Sequence, residues 1–178
     1  MGAESNRKTE TRRFNEARLA SLYDEYYGKI AHYAFVRIGN RTEAEDIAGE
    51  VFLKALESLE SYKERGIPMQ AWLFRIAHNL VVDHLRKMAK HKIVPIDTVQ
   101  VEADADPVTL TDKKIELERM TGAMEQLTPE QREVLRLRFF GGLTSKEAGS
   151  ILNKSDGAVR EMQRAAVEKL RRLLVTDY

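Results

Sequence analysis

Trp72, Arg75, Asn79, Asp83 and Arg86 recur at steps of three and four residues, the interval that gathers side chains on one face of a helix. An indole can stack on a base, a guanidinium can bind phosphate, and an amide can pair with a base edge, so this set suits nucleic acid. Phosphate would repel Asp83; at helical spacing from Arg86 and Arg75 it serves better as an ion-pair partner that holds an arginine in place. For Trp72 the competing reading is a large residue at the edge of a core. A second set opens the last long helix of the chain, where Arg160 and Arg164 suit base or phosphate contacts, Gln163 can pair with adenine, and Glu161 can accept from cytosine. The plainer alternative there is a solvated face of mixed charge.

A third set is acidic. Glu43, Glu45, Asp46, Glu50 and Glu57 accompany Ile47, Phe52 and Leu53, which would repel DNA and suit a protein partner of basic or mixed surface, or else only solubilise the helix. Glu45, Asp46 and Glu50 have no matching carboxylate pair on another helix, as a magnesium-dependent nuclease would need. His32, His78, His84 and His91 show no ligand spacing with carboxylates. Cysteine is absent, which removes disulfides and thiolate zinc sites. No catalytic residue, metal site or cofactor is expected.

The elements that position these residues are all helical. Phe14 to Arg37 carries Leu19, Leu22, Tyr23, Tyr26, Ile30 and Tyr33 at amphipathic spacing and stops at Gly39-Asn40. Thr42 and Glu45 have the spacing of a capping box for a second helix, with Ile47, Val51, Ala55 and Leu59 inward. A loop from Ser61 to Pro68 leads into a long helix over Met69 to Lys90, whose inward stripe is Leu73, Ile76, Ala77 and Leu80. Val94 to Pro107 has two prolines and alternating acids, which predicts an extended linker. Leu117, Met120, Met124 and Leu127 mark the next helix. Thr128-Pro129-Glu130-Gln131 combines an N-cap, a proline at the first position and a capping glutamine; the helix it starts carries Val134, Leu135 and Phe139 and breaks at Gly141-Gly142.

Thr144 to Leu174 then has the layout of a helix-turn-helix. Thr144 and Glu147 cap a short helix with Ala148, Ile151 and Leu152 inward. Asn153 suits the left-handed turn, and Ser155 or Asp156 caps the final helix. Val159, Met162, Ala166, Leu170 and Leu173 are its inward stripe; Gly157, Arg160, Glu161, Arg164, Glu168 and Arg171 face outward. The expected fold class is all-α, two small helical domains joined by an extended linker.

Of the 178 residues, 43% are hydrophobic and 32% charged, normal for a folded soluble chain. The N-terminus has no apolar signal core, and no apolar run approaches the length of a membrane span. These features place the chain in the cytoplasm. A net charge of +1 conceals a segregation: Lys92 to Asp112 holds one lysine against five acids, a net −4, which leaves +5 on the rest.

The run from Ala44 to Ala55 resembles the polymerase-binding segment of sigma region 2. Ala71-Trp72-Leu73-Phe74-Arg75-Ile76-Ala77-His78-Asn79 with Asp83-His84-Leu85-Arg86 resembles its melting and -10-reading segments. Leu127 to Val134 and the helix-turn-helix after it resemble sigma region 4, which reads the -35 element. Order and spacing resemble the extracytoplasmic-function (ECF) class of bacterial sigma factors over about residues 14 to 174. The resemblance implies a flexible N-terminus at 1–13, a region 2 domain at 14–91, an acidic linker at 92–112 and a region 4 domain at 113–178. It implies polymerase contacts at Asp46, Gly49, Glu50 and Leu53. It places Lys63, Arg65, Trp72, Arg75, Asn79, Asp83 and Arg86 toward the -10 element, with Lys63 and Arg65 where the family captures a flipped base. Ser155, Gly157, Ala158, Arg160, Glu161, Gln163 and Arg164 fall toward the -35 element. Implied partners are RNA polymerase core (clamp helices of the largest subunit and flap of the second-largest), promoter DNA, and an anti-sigma factor that in many relatives is membrane-anchored. Gly49, Gly149, Asn153-Lys154 and Ala165 depart from the family pattern. The rival reading is a helix-turn-helix regulator that binds its operator without polymerase.

Overall fold

A computed structural model describes residues 2–63, 66–91 and 107–175, without the side chains of 2–5 and 107–113. The chain divides into two units, Met1–Thr98 and Val99–Tyr178. Among the described residues every regular element is helical.

In the first unit α1 (Gly2–Ile38), α2 (Arg41–Glu57) and α3 (Met69–Lys90) pack against one another in all three pairs. Ile30, Tyr33, Val51, Ala55, Leu73, Phe74 and Ala77 are all fully buried. The ring of Phe74 meets Tyr33 and Tyr26 edge-on, at 5.8 and 6.3 Å between centroids, a favoured aromatic geometry. The bounds of α3 agree with those predicted. Its inward stripe is Leu73 and Ala77 with Phe74 and Val81, while Ile76 and Leu80 are half-buried.

Two expectations change here. Helix α1 runs back to Gly2, through the stretch expected to be flexible. That stretch is rich in residues with good helix propensity and is laced by four-residue pairs, Asn6 to Glu10 at 3.0 Å and Arg12 to Glu16 at 2.8 Å. The cap of α2 is Asn40, not Thr42: its side chain accepts from the Glu43 amide at 3.1 Å. Glu45 instead pairs with Arg41 at 3.1 Å.

In the second unit α4 (Pro107–Glu125), α5 (Pro129–Leu135) and α6 (Ser145–Leu152) each pack on α7 (Asp156–Val175). Leu127, Leu135 and Ala166 form a buried cluster with Met124, Val167 and Leu170 against it. Both predicted capping boxes, Thr128 with Gln131 and Thr144 with Glu147, are formed. Helix α4 begins at Pro107, inside the stretch assigned to the linker; the rest of that linker, 92–106, lies outside the described residues.

After α5 the chain makes a π-helical turn, Arg136–Phe140, closed by the Gly141 amide on the Arg136 carbonyl at 3.1 Å. The wider turn carries one residue more than an α-turn and so rotates the side chains beyond it. Leu137 is buried and Phe139 is 63% exposed.

Candidate nucleic-acid interface

Helix α3 presents Arg75, Asn79 and Arg86 to solvent on one face, with Trp72 and Asp83 half-buried beside them. Arg86 donates to Asp83 at 2.7 Å, as the spacing predicted. Trp72 is half-buried at the edge of the core. Its ring lies 4.8 Å from that of Tyr62, tilted by 39°. The two rings border an open cavity of 630 Å³ that Glu60, Ser61, Lys63, Ile67 and Arg75 complete. Lys63 and Arg75 set cations on the cavity and the rings give it a flat apolar surface, the combination that suits an unstacked base with its phosphate. Arg65 lies outside the described residues. Tyr62 was not singled out from sequence; its only signal was an aromatic next to Lys63 in the loop.

Asp46, Gly49, Glu50 and Leu53 are all exposed and form a single stripe of α2. Leu53 and Leu56 are 57% and 48% exposed, so the stripe pairs carboxylates with apolar surface. Phe52, read beside them from sequence, is buried. Glu50 pairs with Lys54 at 3.6 Å. The Tyr27 hydroxyl donates to the Glu45 carbonyl at 3.2 Å, tying the stripe to α1. Burial pushes this phenol up, and Tyr23, Glu45 and Asp46 add to the shift. Among the described residues no group of three or more His, Asp or Glu is arranged to hold a metal ion.

The helix-turn-helix is built on three local features. Asn153 adopts φ 55° and ψ 46° at the end of α6, a conformation asparagine tolerates. The Ser155 hydroxyl accepts from the Ala158 amide at 3.1 Å and caps α7, so its oxygen is engaged in the fold. Ser145 donates to Asp156 across the turn. All six residues predicted outward on α7, Gly157, Arg160, Glu161, Arg164, Glu168 and Arg171, are exposed, as is Ala158. Arg160 pairs with Asp156 at 2.9 Å and Arg164 with Glu161 at 2.6 Å and Glu168 at 3.8 Å. The Arg164 hydrogen bond holds the Glu161 carboxyl below its ordinary range. Gln163 has a tether that its sequence position does not signal: its Oε1 accepts from Arg138 Nε at 2.8 Å, which turns the acceptor that adenine pairing uses toward Arg138.

Residues 22–91 match the family Sigma-70 region 2, and residues 123–172 match Sigma-70, region 4. The ECF RNA polymerase sigma factor SigD of Mycobacterium tuberculosis is 32% identical over 157 residues, which cover 84% of this chain and 74% of SigD. The chain belongs to the ECF RNA polymerase sigma factors. The ECF RNA polymerase sigma factor BldN of Streptomyces coelicolor is 34% identical over 161 residues. That match takes in 88% of this sigma factor and 60% of BldN, so the chain spans less than two thirds of that relative. Two solved structures share the fold. One is the sigma factor RpoE with the anti-sigma factor NepR from Bartonella quintana, with TM-score 0.68, 22% identity, and 89% of this chain and 98% of that one covered. The other is CnrH with the cytosolic domain of CnrY, with TM-score 0.66, 23% identity and 96% of both chains covered. The region 2 match spans the α2 stripe and the α3 face; the region 4 match spans α5 to α7. No described helix is long and apolar enough to cross a membrane.

Proposed function

We propose that this sigma factor docks on the clamp helices of RNA polymerase core through the α2 stripe, captures and helps open the -10 element with α3 and the Tyr62–Trp72 cavity, and reads the -35 element as duplex with α7. The observation that carries the reading is the cavity: two aromatic rings with Lys63 and Arg75 at a loop fit an extruded base. An operator-binding regulator needs only its helix-turn-helix and has no use for such a site. Domain roles are divided between the two units, with the acidic segment 92–112 as a connector that carries like charge to a nascent RNA. Further proposed partners are the polymerase flap, on the second unit, and an anti-sigma factor, the kind of protein that RpoE is solved with; exposed Leu53 and Leu56 offer it apolar surface.

The ion pairs on α7 support dependence on polymerase. Asp156 pairs with Arg160, and Glu161 and Glu168 pair with Arg164, so the two arginines nearest the start of the helix are partly neutralised before they meet phosphate. The free chain is expected to bind duplex promoter DNA weakly, and tightly once core is added. Reversing Asp46 and Glu50 together to lysine is expected to weaken core binding by about 1–3 kcal/mol with folding unchanged, since both side chains are exposed. A pull-down titration with unaltered core affinity would remove α2 as the docking surface. Tight operator binding by the chain alone would favour the regulator.

A further inference from the structure

Arg138 sits in the π-helical turn after α5, and its guanidinium is held by two acceptors from separate segments. Its Nη1 donates to the Leu143 carbonyl in the turn before α6, and its Nε donates to Gln163 Oε1 of α7 at 2.8 Å. Both Arg138 and Gln163 are half-buried. A guanidinium has donors and no acceptor, so the Gln163 amide must face it with oxygen. The amide nitrogen is not among the buried atoms without a partner, and its N–H groups are the end of the amide that Arg138 does not engage.

We propose that Arg138 determines base preference in the upstream element by fixing which end of Gln163 meets the DNA; this rests on the proposed reading of duplex by α7. A free glutamine bridges adenine, accepting from N6–H and donating to N7. With its oxygen turned to Arg138, Gln163 leads with its N–H donors. Guanine suits that group, because its major-groove edge carries the acceptors O6 and N7 and no donor. Adenine sets an N6–H donor against the amide N–H and leaves it unpaired. Arg138 is a positioning residue, acting through Gln163 from outside the recognition helix.

The test is transcription by core polymerase loaded with this sigma factor, on promoters randomised through the upstream element. The native protein is expected to favour guanine over adenine at one position by about 5-fold, the value of one net hydrogen bond. Gln163→Glu keeps the contact to Arg138 and turns an acceptor outward. Preference at that same position is then expected to pass to cytosine or adenine, which present amino donors. Arg138→Met frees the Gln163 oxygen and is expected to raise adenine above guanine there. Should Arg138→Met fail to fold, Gln163→Glu decides alone, since it retains the tether. Unchanged preference at every upstream position in Gln163→Glu overturns the proposal. An even loss across all sequences also overturns it, because that marks a phosphate contact. A native protein with no upstream preference at all contradicts instead the reading of α7 on which the inference rests.

Discussion

Gly149→Ala is expected to destabilise the helix-turn-helix by about 3 kcal/mol, the upper end for a methyl forced into a packed site. A Cβ at Gly149 would lie 2.5 Å from the Lys154 carbonyl oxygen and 3.4 Å from Val159 Cγ2. The first contact is with backbone, which cannot swing away as the end of a side chain can. That backbone belongs to the turn that sets α6 against α7, closed by the Lys154 amide on the Gly149 carbonyl at 2.9 Å. Alanine is thus disfavoured here by the close approach of the Asn153-Lys154 turn. Thermal unfolding should show the second unit melting earlier while the first is unchanged, and transcription that depends on the upstream element should fall with it. A melt superimposable on that of the native protein would contradict the packing.

The second large effect separates the two DNA-facing units. Arg160→Ala is expected to cost roughly 1–3 kcal/mol of promoter binding if the guanidinium meets a base, and to relax preference at one upstream position. Trp72→Ala and Asn79→Ala should spare the closed complex and reduce strand opening, seen as lost permanganate reactivity of unpaired thymines. Removing Trp72 takes away one of the two rings bordering the cavity, and base–aromatic stacking is worth about 1–3 kcal/mol. A template with a pre-melted bubble supplies the unstacking energy and no upstream contact. It should rescue Trp72→Ala and not Arg160→Ala. Equal rescue of both, or of neither, would show that the two faces do not divide the work in this way.

Much of this architecture was legible in the residues, because local rules and global fold agree. The bounds of α3, two capping boxes, the left-handed Asn153 and the outward face of α7 each arise from short-range chemistry. The misreadings have local causes as well. No spacing in the sequence signals the π-helical turn that changes the period between Arg136 and Phe140. Thr42 lost the cap of α2 to Asn40, two residues earlier and able to reach the Glu43 amide. The resemblance implied a flexible stretch at residues 1–13, although four-residue pairs there sustain a helix. Tyr62 and Arg138 could not have been found by spacing: each acts through a tertiary contact, one with Trp72 and the other with Gln163 across 25 positions of sequence. Asp46, Gly49, Glu50 and Leu53, by contrast, share one stripe by helical arithmetic alone.

Run-off transcription with core polymerase on fragments of the source genome shows whether this sigma factor selects promoters. Core alone is expected to give no defined products, and adding this sigma factor to yield discrete start sites, each preceded by a shared pair of upstream and downstream elements. Products that are absent, or whose start sites share no such pair, would contradict that role.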